Sequence, residues 1–173
     1  MDFDLSKVTP KRCREELEEV LGRGESFRNN GWKETEVDAD CKLHFFINHL
    51  YWKKGDLKPS NAAFGNPGLS VRGDGGNFSP LTKKDLIEIL HSLSRETGQN
   101  FVGSVYFKAS QLKEDNELSS LIVIHDPHPF EDKHGVFQPQ AENHIEIICN
   151  KNTTRRDLLQ EACDWSLHPD EVE

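Results

Sequence analysis

Cysteine is scarce and poorly placed for crosslinking. The four in 173 residues, Cys13, Cys41, Cys149 and Cys163, include no Cys-x-x-Cys pair, and a chain of this length does not need a disulfide framework. Free, mostly buried thiols in a reducing compartment are the expectation. Long apolar runs are missing as well, and none approaches the length of a membrane span. The opening Met1-Asp2-Phe3-Asp4 is acidic and leads into Ser6-Lys7-Val8 without a basic n-region or an apolar h-region, which points to the cytoplasm. Positive charge is in deficit: 21 Lys and Arg face 30 Asp and Glu, a net charge of −9. An acidic surface repels phosphate backbones and anionic membranes. The basic doublets Lys53-Lys54, Lys83-Lys84 and Arg155-Arg156 lie far apart and read as ordinary surface charge. Nucleic acid is therefore disfavoured as a partner, no membrane is expected, and another protein is. Complete catalytic signatures are absent too: there is no Gly-x-Ser-x-Gly elbow, and Gly73-Asp74-Gly75-Gly76 reads as a turn because no Gly-Lys-Ser/Thr follows it.

What is present suffices for a core. Apolar residues form 35% of the chain, and ten Phe and three Trp supply large buriable surfaces. A helix is expected over residues 10–21, with Thr9 as N-cap, Pro10 in the first turn and a stripe of Cys13, Leu17, Val20 and Leu21. Residues 25–37 read as a polar connection anchored by Phe27 and Trp32. Leu43, Phe46, Ile47 and Leu50 predict a second helix over 39–53; the alternation Cys41, Leu43, Phe45, Ile47 permits a strand, but the stripe and both ends favour the helix. Residues 56–80 are turn-rich, with only 69–71 strand-like. Thr82 and Asp85 form a capping box for a helix along Leu86, Ile89, Leu90 and Leu93 to Gly98. Strands follow over 101–107, 120–125 and 144–149, then a last helix from Thr154 to about residue 167. The fold class is α+β: about four helices packed on a small, mostly antiparallel sheet of three or more strands, in one domain over 1–173.

Chemistry concentrates in the loop after the apolar run 121–124. His125, Asp126, His128, Glu131, Asp132 and His134 follow within ten positions. Neutral imidazoles bind transition metals, so His125, His128 and His134 are the candidate metal ligands. His125 is equally a candidate general base, with Asp126 fixing its tautomer. His144 becomes a further partner if its strand pairs with the one ending at His125. His44 and His49, five apart, cannot share an ion on a regular helix or strand. The composition of 60–72 leaves open a nucleotide- or ADP-ribose-handling site, with Ser60, Asn61 and Arg72 as binding residues.

The segments Asn48-His49-Leu50, Ser60-Asn61-Ala62-Ala63-Phe64, Leu69-Ser70-Val71 and His125-Asp126-Pro127-His128-Pro129, with His134 downstream, resemble a pattern in small bacterial proteins that have no established activity. The pattern spans roughly 45–135, and Arg72 stands where it usually carries Asp. The resemblance implies a bacterial cytoplasmic protein whose 58–72 and 125–134 segments share one surface. With two prolines in the 125–134 loop and no established ligand signature, the expectation is a non-catalytic protein-interaction or regulatory module, a component of a multi-protein bacterial system, without a cofactor. The alternative is a small metal- or histidine-dependent hydrolase using that loop with a divalent transition metal.

Overall fold

Residues 42–48 form a strand, not part of the helix expected over 39–53. Leu43 and Ile47 are buried on one face and His44 and Phe46 on the other. A strand covered on both faces reads as a near-continuous apolar run, and such a run imitates a helical stripe. The computed structural model describes residues 11–22, 37–127, 129–131, 135–138, 141–148 and 150–172. The expected cap at Thr9, the Pro10 helix start and the anchors Phe27 and Trp32 lie outside the described residues.

In chain order the elements are α1 (Lys11–Leu21), β1 (Lys42–Asn48), β2 (Gly68–Asp74), α2 (Lys83–Thr97), β3 (Phe101–Lys108), α3 (Ala109–Glu114), β4 (Ile122–His125), β5 (Phe130–Glu131), β6 (Phe137–Gln138), β7 (His144–Ile148), α4 (Thr153–Ala162) and β8 (Asp164–Leu167). Strands β5 and β6 pair only with each other. The other six form one sheet in the order β4-β7-β2-β1-β3-β8, every neighbouring pair antiparallel. The α+β expectation holds, with more strands than its minimum. The expected final helix stops at Ala162, and its last residues become β8. Trp165 and Leu167 alternate along an edge strand there, opposite Val105 and Ser104 of β3.

One face of the sheet carries the main apolar core. Leu43, Val71, Phe107, Val123 and Ile147 pack there beneath Leu112 of α3, Leu159 of α4 and Phe64. Each fully buried side chain of this size contributes about 1.5–3 kcal/mol of transfer free energy. The opposite face carries two separate helices. Cys13, Leu17 and Val20 of α1 cover Ile122, Ile124 and Ile148 of β4 and β7. Leu86 and Leu90 of α2 cover Phe46 and Leu167 at the other end. The expected capping box holds α2 in place: Thr82 Oγ1 accepts from the Asp85 amide, and the Asp85 carboxylate accepts from the Thr82 amide. Gly98 closes the same helix in the left-handed conformation, at φ 70°.

Between the two helices runs β2, whose residues on this face are Gly68, Ser70, Arg72 and Asp74, none of them apolar. The middle of the face is thus a polar strip flanked by two apolar patches. Cys13, Cys41 and Cys163 are buried free thiols, and burial pushes both Cys41 and Cys163 up to about 11, so neither is a nucleophile at neutral pH. No described helix is long and apolar enough to cross a membrane.

Candidate metal centre

Strand register decides which polar groups meet on the strip. β4 and β7 do pair, with His125 opposite Ile145 and Ile124 opposite Glu146. The ladder continues one residue further, where the Asp126 amide donates to the His144 carbonyl at 2.9 Å. Adjacent residues of an extended chain point to opposite faces, so His125 and Asp126 part company. The His125 ring packs edge-on against Phe78 at 5.2 Å and its Nε2 meets the Glu142 carbonyl. Asp126 turns to the other face and reaches His144.

Asp126, His144 and Glu146 are all buried, and one potential ligand atom from each lies within 4.8 Å of the others. The hydrogen bonds around His144 fix its chemistry. Its Nδ1 is 2.9 Å from the Asp126 carbonyl oxygen, which can only accept, so Nδ1 carries a proton. The Asp126 carboxylate stands on the same side, with Oδ2 3.7 Å from Nδ1. Nε2 is the remaining nitrogen, 3.1 Å from Ser70 Oγ and 3.1 Å from Glu146 Oε1. Ser70 donates its only hydroxyl proton to Glu146 Oε1 at 2.6 Å. The Ser70 hydroxyl proton is thus committed to Glu146, and Nε2 faces both oxygens.

A missing side chain makes room beside this triangle. A Cβ built on Gly68 would fall 2.9 Å from Glu146 Oε2 and 2.8 Å from Glu16 Oε1 of α1. Glu16 and Glu146 thus occupy space that any other residue at position 68 would fill. Ser70 is exposed while His144 and Glu146 beneath it are not, so the cluster opens to solvent on the Ser70 side.

A second imidazole lies further along the strip. His44 is opposite Arg72, which is itself opposite His144. His44 Nε2 is 2.7 Å from Asp74 Oδ2, and Asp74 Oδ1 accepts from the Leu81 amide at 2.8 Å. Nε2 therefore donates to Asp74. The buried Nδ1 is a bare acceptor with no hydrogen-bond partner among the described residues. Burial holds His44 below its ordinary 6.5, against the opposing pull of Asp74. A depressed imidazole contributes stability in full above the unfolded value and loses it as pH falls through the folded one. The urea midpoint is accordingly expected to drop as pH is lowered from about 7 to about 5, and His44→Gln to lose much of that slope. Equal slopes in the two proteins would show that His44 does not titrate in this way.

Of the residues singled out from sequence, Asp126, His144 and Arg72 lie together on the strip. His125 does not join them, and His128 and His134 fall outside the described residues. Ser60 and Asn61 are engaged elsewhere: Ser60 Oγ accepts from the Ala62 amide, and Asn61 Nδ2 donates to Asp157 Oδ1 at 2.6 Å. Sequence reasoning missed Ser70, Glu146 and Glu16. The available signal was a carboxylate inside the apolar run Ile145-Glu146-Ile147-Ile148, where a buried charge needs a partner.

Fold and site together define an α+β protein with a buried imidazole–carboxylate cluster on one face of an antiparallel sheet. Comparison with protein-family models, curated proteins and solved structures gives no match.

Proposed function

We propose that this protein binds a divalent transition-metal ion at the Asp126–His144–Glu146 cluster, between His144 Nε2 and Glu146 with Asp126 holding the Nδ1 side of the ring, and uses that centre for hydrolysis on its solvent-open, Ser70 side. One observation carries the reading: His144 Nε2, its partner nitrogen already committed, faces Glu146 Oε1 and Ser70 Oγ at 3.1 Å each. A bare nitrogen and a carboxylate oxygen repel at that separation, and a cation between them converts repulsion into coordination. A proton on Nε2 would also relieve it, and experiment separates the two. An imidazole nitrogen beside a carboxylate oxygen is a donor pair for Mn2+ or Zn2+ rather than for Cu+ or Ca2+.

A bound ion of this kind brings the pKa of coordinated water towards neutrality and polarises a scissile ester or amide. The chain's own residues do the rest. The Asp126 carbonyl holds the His144 tautomer, as outer partners of metal-bound histidines do. Glu146 Oε1 accepts a hydrogen bond from Ser70, which holds that carboxylate beside the His144 ring. Protein purified without a His-tag is expected to carry about one equivalent of manganese or zinc, or to take it up after treatment with chelator. If elemental analysis and titration find no stoichiometric ion in either state, the reading is lost.

The docking module has a separate observation in its favour. Leu50 and Leu57 are 71% and 89% exposed, beside a cluster in which Trp165 and His168 rings lie 5.1 Å apart and Trp52 packs edge-on against both. Such an apolar fringe on an edge strand is where a protein partner would sit.

A further inference from the structure

The polar strip continues beyond the proposed metal centre, and its next member is Arg72. Asp126, His144, Arg72, His44 and Tyr106 form a single cross-strand row, each beside the next. Directly opposed residues in such a row have Cα atoms about 4.5–5.5 Å apart, so one small ligand can touch three of them. The apolar stripe of α1 packs on Ile122, Ile124 and Ile148 and that of α2 on Phe46 and Leu167, while Arg72 at the centre of the row keeps partial exposure.

Arg72 is half-buried there with little to hold it. Among the described residues its hydrogen-bond partner is Asn143 Oδ1, at a long 3.5 Å. A guanidinium offers five N–H donors in a planar fork. Burial lowers the Arg72 pKa, with the Glu96 charge acting the other way, so the cation is poorly solvated where it stands. Opposite Arg72, on its far side from His144, stands His44, whose buried Nδ1 is an acceptor without a donor among the described residues.

A fork of cationic donors next to a lone acceptor fits one common anion, hydrogen phosphate or the monoprotonated form of a phosphate monoester, whose oxygens accept and whose remaining P–OH donates. Resting on the metal reading for its neighbour but not for its own chemistry, we propose that Arg72 and His44 form a phosphate-binding subsite on the strip beside His144. The substrate class for the hydrolytic centre is then a phosphate ester, with Arg72 gripping the phosphoryl group and the P–O bond presented towards Ser70, His144 and Glu146. Sulfate has the same shape and no proton to give at neutral pH, so His44 discriminates against it.

The test is calorimetric titration of inorganic phosphate, with sulfate in parallel, into chelator-treated and Mn2+-loaded wild-type protein, Arg72→Gln, Arg72→Lys and His44→Leu. Phosphate is expected to bind the metal-free wild type, with sulfate clearly weaker. Arg72→Gln should weaken phosphate by roughly 10–100-fold and Arg72→Lys by less, because a charged hydrogen-bond donor is lost in one and only the fork geometry in the other. His44→Leu should bring phosphate and sulfate together. Should Arg72→Gln fail to fold, as judged by circular dichroism, the Arg72→Lys loss decides. Phosphate affinity that is undetectable, indifferent to Arg72, or equal to that for sulfate in the wild type overturns the proposal. Failure to load Mn2+ removes the metal reading alone, since the phosphate titrations need no metal.

Discussion

Replacing His144 with alanine is expected to abolish metal binding, lowering affinity by at least ~100-fold, more than loss of an outer-shell partner typically costs. His144 supplies the nitrogen in the Asp126–His144–Glu146 set, and no other described side chain offers an imidazole at that point. Asp126→Asn and Glu146→Gln each keep size and hydrogen bonding while removing one charge, so their affinities should fall less. The effect reads out in two ways. Isothermal titration gives the affinity directly. Thermal unfolding gives it through linkage: an ion at 100 times its Kd adds about 2.7 kcal/mol to the folded state, a gain the wild type should show and the alanine variant should not. Wild-type affinity in His144→Ala would place any bound ion elsewhere in the chain and end the assignment.

The elements that could be read in advance were those whose local signals agreed with their surroundings. In α2 the cap, the apolar spacing and the closing glycine all pointed the same way, and the helix runs Lys83–Thr97. The strands at 101–108, 122–125 and 144–148 were legible from their β-branched and aromatic content. β1 was not, because its two faces pack on different cores, Leu43 and Ile47 under α3 and α4 and Phe46 under α2. No periodicity in seven residues distinguishes that from a helix. β8 was hidden for another reason: its pairing with β3 is a contact some 60 residues back in the chain, invisible to local propensity.

The candidate site was legible only where it coincided with the histidine-rich loop. Density in sequence drew attention to residues 125–134, yet the groups that converge come from the ends of β4 and β7 and the middle of β2, Ser70 and Glu146 being 76 positions apart. Convergence of this kind is a property of register. A shift by one residue would exchange His144 and Glu146 for Ile145 and Ile147 on the polar face and bury an imidazole and a carboxylate in the main core. The same apolar alternation that fixes the register therefore also fixes the site. That is why Arg72, which the sequence offered as a loop residue, stands in the structure as the middle of a central strand.

Phe64→Ala is expected to destabilise the fold by about 3–5 kcal/mol, the range for truncating a buried aromatic and a large share of a total stability near 5–15 kcal/mol. Phe64 ends the short 3-10 turn Asn61–Phe64, is completely buried, and lies with ring centroids 5.6 Å from Phe45 and 5.8 Å from Phe107. Residues 58–64 are strapped to α4 by Lys58 Nζ donating to the Gln160 and Glu161 carbonyls and by Gln160 Nε2 donating to the Pro59 carbonyl. The turn-rich stretch is therefore held as a wedge, and Phe64 is its point. Urea unfolding should show a lowered midpoint with an unchanged slope, whereas Leu57→Ala, at a side chain 89% exposed, should stay within about 0.5 kcal/mol of wild type. Because the wedge leads directly into β2, loosening it should also weaken ion and phosphate binding at Ser70 and Arg72, by less than direct substitution does. A loss under about 1 kcal/mol would mean that the cavity left by Phe64 collapses freely, and that the segment before β2 does not brace the strip.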